Sequence, residues 1–202
     1  MHKGPRDLEL PPWNKGRYGT ALGRAVHAVL QTVDLATGDG LDETAAAQAA
    51  AEGIIGREEA VAARARVALT TNTVREAVTH GFRREMYVAT PVGATTLEGY
   101  VDLVYRRPDG LVVVDYKTDA WRDDADLDAK VARYRLQGAS YAVALEQATG
   151  EPVAECVFVF LGERDARERP VSDLPTAMRE VRALLAGSGA AATTPGPLRS
   201  GR

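Results

Sequence analysis

Two aspartates and a lysine are spaced so that a single hairpin would bring them together. Asp102 lies in the apolar stretch 99–105, and Asp115 and Lys117 end the apolar stretch 110–117. Pro-Asp-Gly between the stretches is typical of a turn, and β-branched residues favour strands, so the segment predicts an antiparallel hairpin. A turn centred on the Pro-Asp pair places Asp102 opposite Asp115, with Lys117 on the same face. Two carboxylates and an ammonium group at one point predict a charged centre, because unpaired carboxylates are costly in a sheet core.

Two alternatives stay open on these residues alone. A bulge at Gly110 would shift the register by one residue and place the two aspartates on opposite faces. Lys117 would also form an ordinary salt bridge with Asp102 or Asp115 at a sheet edge. The residue pattern favours neither the salt bridge nor the functional centre.

A histidine and a glutamate elsewhere in the chain are further candidates. His27 follows Gly23 by one helical turn in a segment whose helical periodicity begins at Thr20, so the glycine leaves room beside the imidazole. It is either a metal ligand or a histidine packed at the rim of the core. Glu85 lies in the alternating strand 82–89 and is either a catalytic acid or the ion-pair partner of a neighbouring arginine.

A long helix predicted over 127–148 carries polar side chains along one stripe. At spacings of three and four residues, the stripe contains Lys130, Tyr134, Gln137 and Tyr141. Tyrosine and glutamine in such a stripe are typical of a half-polar helix face packed on a sheet. They are also suited to holding a substrate, and the spacing does not separate the two roles.

The periodicity along the whole chain predicts one α/β domain. In order, the expected elements are a helix from Thr20, two or three helices within 42–80, three strands, the long helix, a strand over 153–161 and a last helix opening at Asp173. This order predicts an α/β sandwich with a central mixed sheet flanked by helices. The domain is expected over 19–186, between an N-terminal arm 1–18 anchored by Trp13 and a disordered tail 187–202.

Composition excludes several kinds of site. The single cysteine, Cys156, excludes an internal disulfide, a cysteine-ligated zinc site and an iron–sulfur cluster. No glycine-rich phosphate loop occurs, so no ATP site is expected. The net charge of −3 argues against non-specific coating of nucleic acid. The chain lacks an apolar run of membrane-spanning length and a signal peptide, so we expect a cytoplasmic protein that does not bind a membrane.

Taken together, these residues resemble the RecB-type branch of the PD-(D/E)XK nuclease superfamily. The motifs that carry the resemblance are Gly23-x-x-x-His27, Glu85, Gly99-x-x-Asp102, Asp115-Tyr116-Lys117 and Gln137-x-x-x-Tyr141. Within that branch the chain is similar to the nuclease domain that ends bacterial helicase-nucleases of the RecB, AddA and UvrD-like kind. The likeness spans 19–161 and implies a restriction-endonuclease-like fold. The helicase motifs, and the four cysteines of the relatives that hold an iron–sulfur cluster, are absent from this sequence.

The resemblance implies a metal site. In the family, the residues that match His27, Asp102 and Asp115 bind a divalent metal ion, and the backbone carbonyl at the position of Tyr116 completes the protein ligands. Hard oxygen ligands with one imidazole suit Mg²⁺ or Mn²⁺, which retains water in its remaining positions.

The resemblance also implies roles around the metal. The lysine that matches Lys117 acts on the attacking water or the phosphate, and positive charge there would stabilise the transition state. The residues that match Gln137 and Tyr141 help to hold substrate and helix, and Glu85 matches an acidic position whose role is open. Further substrate-binding candidates, which would contact phosphates or the substrate from the same side, are Tyr134, Lys130, Arg83, Arg84, Arg133 and Arg135.

The implied function is a divalent-metal-dependent deoxyribonuclease. It would hydrolyse phosphodiester bonds in single-stranded or unwound DNA during repair or recombination, next to a helicase that is a separate protein or the rest of a longer parent chain. One alternative is a catalytically silent, nuclease-like module that binds DNA or serves as a scaffold in a repair complex. Another is a metal-dependent hydrolase that acts on RNA.

Overall fold

The computed structural model describes residues 19–92 and 95–190. Within them the chain forms one five-stranded sheet and six helices. The elements are α1 (Ala21–Thr32), α2 (Leu41–Ala51), α3 (Glu58–Leu69), α4 (Asn72–His80), β1 (Phe82–Val92), β2 (Thr95–Arg107), β3 (Gly110–Lys117), α5 (Asp124–Thr149), β4 (Val153–Leu161), β5 (Ala166–Pro170) and α6 (Leu174–Ala190). The expected arm 1–18 with Trp13, and residues 191–202 of the expected tail, lie outside the described residues.

The sheet has the order β1-β2-β3-β4-β5. All neighbouring strands are antiparallel except β3 and β4, which are parallel and are joined by α5 as a crossover. Leu103 pairs with Val114 and Tyr105 with Val112, so the predicted register of the central hairpin is confirmed. The sheet is mixed and flanked by helices, which confirms the predicted α/β, restriction-endonuclease-like sandwich.

Helices cover both faces of the sheet. On one face, α1 to α4 form an apolar core with the side chains of Leu103, Val112, Val114 and Val159. On the other face, α5 and α6 pack over a second core. The strands β3 and β4 are buried on both faces, which is why their sequences are nearly continuous runs of apolar residues.

Most helix ends follow local sequence signals. The Thr20 side chain accepts a hydrogen bond from Gly23 N at 3.0 Å and so caps α1, as the sequence predicts. The helix α5 begins at Asp124, three residues before the predicted start, because the Asp123 carboxylate caps it by accepting from Asp126 N. It ends at Gly150, which adopts φ 73°. The helix α6 continues to Ala190, beyond the Leu185 that the sequence predicts.

No helix in residues 19–92 and 95–190 combines the length and the apolar character that crossing a membrane requires.

Candidate metal centre

The side-chain alternation of β1 and β2 changes phase at one paired position. In β2, Val101 packs against the core under α5 and α6, whereas Leu103 packs against the core under α1 to α4. Strict alternation would place both residues on one face. In β1 the same change occurs between Arg84, which binds carbonyls of α1, and Met86, which packs under α5. The two changes meet because the register pairs Arg84 with Leu103 and Met86 with Val101.

Glu85 and Asp102 occupy that position. The unbroken register on either side places them opposite each other, and Glu85 adopts φ 47°, a conformation that non-glycine residues seldom adopt. Backbone strain of this kind is concentrated at functional sites. The phase change means that the sheet core on neither face takes up these two carboxylates.

A histidine from α1 completes a cluster with these two residues. One potential ligand atom from each of His27, Glu85 and Asp102 lies within 4.8 Å of the others, and all three side chains are partly buried. The His27 Nδ1 lies 3.1 Å from Asp102 Oδ1, while Asp102 Oδ2 accepts a hydrogen bond from Tyr116 N at 2.7 Å. The structure therefore brings three of the candidate residues to one point.

The charge of this cluster raises the pKa of His27. Burial alone would lower the pKa, but the carboxylate of Asp102, with smaller contributions from Asp115 and Glu85, raises it to about 9. The pKa of Glu85 is also raised, first by burial and then by Asp102. Each shift shows that negative charge exceeds positive charge at this point.

Asp115 lies deeper, on the face covered by α5. It is only 4% exposed, and its Oδ2 lies 2.6 Å from the Lys117 ammonium nitrogen as an ion pair without hydrogen-bond geometry. Gln137 Nε2 donates to its other oxygen at 3.4 Å. Burial and the charge of Asp102 raise the pKa of Asp115 to about 6. Among the described residues, Asp115 Oδ2 accepts no hydrogen bond.

Lys117 is held from several directions. Its ammonium group donates to Gln137 Oε1 at 3.1 Å and lies 4.3 Å from the ring centroid of Tyr134 and 5.5 Å from that of Phe158. Aromatic faces attract a partly desolvated ammonium group. The contacts fix the lysine beside Asp115 with 13% of its side chain exposed.

The two motif residues of α5 contact each other across one helical turn. Gln137 Nε2 donates to the Tyr141 hydroxyl at 2.9 Å. Tyr141 in turn packs against Gly99 of β2, where an added Cβ would lie 2.9 Å from its ring. Gly99 is therefore the residue that lets α5 approach the hairpin closely, and the helix holds Gln137 against the Asp115 and Lys117 pair.

Tyr116 points away from this pair. Its ring is buried in the core under α1 to α4 and contacts the His27 ring edge-to-face at a centroid distance of 6.1 Å. Burial and the charge of Asp102 raise the pKa of its hydroxyl. Through its backbone N–H and its ring, Tyr116 contacts both Asp102 and His27.

Several of the predicted phosphate-binding groups make contacts within the protein. Arg84 donates to Leu30 O and Val33 O, so it caps the end of α1, where carbonyls lack helical partners. Lys130 pairs with Asp126 at 2.9 Å one turn away on α5, and Arg135 pairs with Glu180 at 2.6 Å. Arg133 is 62% exposed and lies 5.1 Å from the Tyr134 ring centroid.

Sequence reasoning missed Asp119, which follows β3. The Tyr134 hydroxyl donates to this carboxylate, with both oxygens at 3.1 Å. Tyr134 thus binds Asp119 through its hydroxyl and Lys117 through its ring. The signal in the sequence was an acid two residues after the lysine, but nothing local indicated which residue of α5 would reach it.

The model of the PD-(D/E)XK nuclease superfamily matches residues 5–197 of the chain. The chain belongs to this superfamily. The PD-(D/E)XK match covers nearly the whole sequence and includes all of the residues described above.

Parts of the chain are also similar to individual bacterial proteins that are named as the first of the subunits of an ATP-dependent helicase/nuclease. Identity is 40% over 77 residues with the protein of Acetivibrio thermocellus, 31% over 70 residues with that of Clostridium novyi and 38% over 69 residues with that of Alkaliphilus oremlandii. The aligned segments cover 38%, 34% and 34% of this chain, and each spans 6% of the relative's length. A solved structure from Eubacterium rectale is 15% identical with a TM-score of 0.44, covering 76% of this chain and 64% of that one.

The residues present fit a divalent cation of the kind that PD-(D/E)XK nucleases use. One imidazole and two carboxylates converge in the cluster, and Asp115 supplies a buried oxygen that lacks a hydrogen-bond donor among the described residues. Oxygen-rich ligand sets with one histidine suit Mg²⁺ or Mn²⁺ rather than a thiolate-seeking metal. The raised pKa values of His27, Glu85 and Asp115 show the excess negative charge that a cation would neutralise.

Proposed function

We propose that the chain is a divalent-metal-dependent deoxyribonuclease that hydrolyses phosphodiester bonds. The observation that carries the proposal is the convergence of His27, Glu85 and Asp102 beside the buried Asp115 and Lys117 pair, in a chain of a nuclease superfamily. A DNA-binding scaffold without activity would gain nothing from this concentration of partly buried charge, which costs stability. We therefore favour the enzyme over the silent module.

The residues have distinct tasks in this proposal. His27, Glu85, Asp102 and Asp115 would hold Mg²⁺ or Mn²⁺. When bound, the ion would polarise the scissile phosphate and lower the pKa of a water that attacks it. Lys117, fixed by Gln137 and the Tyr134 ring, places positive charge where the phosphate gains negative charge in the transition state.

A helicase is the proposed partner. The helicase/nuclease relatives are much longer than this chain, which spans 6% of each. We propose that the nuclease works next to a helicase, either in trans or as part of a longer protein, and that it receives DNA as unwound single strands during repair or recombination.

The test compares cleavage by matched variants. Labelled single-stranded DNA is incubated with the purified chain in Mn²⁺, Mg²⁺ or EDTA, together with Asp102→Asn, Lys117→Ala and the exposed hairpin-turn control Asp109→Asn. We expect metal-dependent cleavage that falls at least about 100-fold in the first two variants and is unchanged in the control. RNA of the same sequence serves as a competing substrate.

Two outcomes would contradict the proposal. DNA binding by the wild type without any metal-dependent cleavage would identify the silent module, and faster cleavage of RNA than of DNA would identify the RNA hydrolase. Equal cleavage by the wild type and Asp102→Asn would assign the activity to a contaminating nuclease. Lys117→Ala should retain DNA binding, because it removes no metal ligand.

A further inference from the structure

Two tyrosines form an exposed aromatic pair on the β1-β2 hairpin. Tyr87 and Tyr100 are directly paired in the register, and their ring centroids lie 5.2 Å apart at an interplanar angle of 50°. They are 52% and 57% exposed. The Tyr87 hydroxyl donates to Glu98 at 2.8 Å, so its ring is fixed on the strand surface. Large apolar surface left in contact with water in this way indicates a binding surface when it is contiguous.

The pair lies on the face of the hairpin turned away from α5. Its strand neighbours Met86, Val88 and Val101 pack toward α5, and Gly99 contacts Tyr141 of that helix. Alternation therefore directs Tyr87 and Tyr100 to the opposite side of the sheet, where α1 carries His27.

The pair also lies next to the candidate metal centre. Tyr87 follows Glu85 by two residues and Tyr100 precedes Asp102 by two, so the tyrosines form the adjacent row, roughly 7 Å along the strands. A polymer bound with a phosphate at Glu85 and Asp102 would therefore place its neighbouring unit over the two rings.

We propose that Tyr87 and Tyr100 form a stacking platform for the unpaired bases of a single-stranded nucleic acid whose backbone enters the metal centre. This inference rests on the proposed nuclease function and specifies its substrate. Aromatic side chains bind any base through its flat face, without sequence preference. Bases in a duplex are already stacked on one another, so the platform binds single strands and excludes intact double strands.

The occupant follows from the position of the pair. A cross-strand aromatic pair also stabilises a hairpin, but that role requires neither exposure of half of each ring nor proximity to Glu85 and Asp102. A folded protein partner seated on the same surface would cover the entrance to the metal centre. A flexible strand with alternating phosphates and bases contacts the carboxylate-bound cation and the rings together.

The experiment measures binding in EDTA, so that cleavage plays no part. Fluorescence anisotropy is recorded with labelled oligo-dT and with an oligonucleotide of the same length whose sites are all abasic, which keeps the phosphates and removes the bases. The proteins are the wild type, Tyr87→Ala/Tyr100→Ala, and Tyr87→Phe/Tyr100→Phe, which keeps both rings. Thermal melting of each variant confirms that it is folded.

We expect the wild type to bind oligo-dT more tightly than the abasic strand. The double alanine variant should lose roughly 5- to 100-fold in affinity for oligo-dT and bind the abasic strand as the wild type does. The double phenylalanine variant should retain the preference for bases. In Mn²⁺, the double alanine variant should also lose the preference for cleaving single strands over duplex.

Either of two results would overturn the inference: equal binding of oligo-dT and abasic strands by the wild type, or an unchanged ratio in the folded double alanine variant. The first result would leave the surface to a protein partner. Metal-dependent cleavage with no base preference refutes the platform alone, whereas base-dependent binding without cleavage refutes the nuclease and leaves the platform standing.

Discussion

The charged residues of the metal centre are poorly balanced in the absence of a cation. Glu85, Asp102 and Asp115 bring three carboxylates together, and Lys117 is fully engaged with Asp115 and Gln137. The pKa of Asp115 rises to about 6 and that of His27 to about 9, so metal-free protein holds protons where a metal ion would sit. Binding of the metal must displace the proton from His27, because only neutral imidazole is a ligand.

The raised pKa of His27 predicts a pH-dependent stability in EDTA. Protonated His27 stabilises the folded state through Asp102, and a histidine whose folded pKa lies above its unfolded value contributes fully below pH 6.5 and loses its contribution as pH rises toward 9. Since the side chain is 31% exposed, we expect a contribution on the order of 1–2 kcal/mol. The free energy of unfolding of wild type minus that of His27→Gln, measured by urea denaturation, should shrink by this amount between pH 6.5 and 9.

The control for this series is His80→Gln, which replaces an exposed histidine at the end of α4. Its difference from wild type should not follow the His27 curve. A difference for His27→Gln that is flat with pH, or that grows toward pH 9, would show that Asp102 does not hold the proton on His27.

The elements of the fold were predictable to different degrees. The hairpin of β2 and β3 and its register followed from turn chemistry and β-branched runs, and so did β4 and the helices. The strand β5, Ala-Arg-Glu-Arg-Pro, was missed because its side chains are charged and it lies at the sheet edge, where no apolar alternation is required. The order and type of elements are local properties, whereas edge pairing depends on the neighbouring strand.

The candidate site shows the same division. The sequence identified His27, Glu85, Asp102, Asp115, Lys117 and Gln137 as residues of interest. It did not reveal the change of phase at Glu85 and Asp102, because an unbroken pattern of two is the only local rule available for a strand. The tertiary packing of α1 on one face and α5 on the other decides where that pattern changes.

The approach of α5 to the sheet depends on Gly138, and this predicts an effect of one methyl group. A Cβ there would lie 2.7 Å from Cys156 Sγ and 3.1 Å from the Phe158 ring, both fully buried. Overpacking should outweigh the gain in helix propensity, so Gly138→Ala should lower the free energy of unfolding by about 1–2 kcal/mol. It should also reduce cleavage, because the displaced helix carries Gln137 away from Lys117.

Ser140→Ala is the matched control on the same helix. Its hydroxyl donates to Leu136 O on the exposed side, so this change should leave both the melting temperature and the rate nearly unaltered. If Gly138→Ala melts at or above the wild-type temperature, the close contact between α5 and β4 is not a constraint on the helix.

The metal centre joins the two layers of the molecule. His27 comes from the helical layer of α1 to α4, Glu85 and Asp102 from the first hairpin, and Asp115 and Lys117 from β3 under α5. Residues separated by most of the domain length thus meet at one point. A cation bound there would connect α1 to the sheet, in addition to the apolar core beneath that helix, and unfolding would have to release it.

Binding of a divalent cation should therefore stabilise the whole domain. At a concentration ten times the dissociation constant, a ligand specific for the folded state adds about 1.4 kcal/mol, which raises the melting temperature by about 3–6 °C in a domain of this size. We expect this rise with Mn²⁺ or Mg²⁺ in the wild type and in Asp109→Asn, whose changed carboxyl lies at the exposed hairpin turn. Asp102→Asn removes a ligand and should melt at the same temperature with and without metal. An equal rise in Asp102→Asn would place the bound metal elsewhere, and no rise in the wild type at millimolar metal would show that these residues do not form a site before substrate arrives.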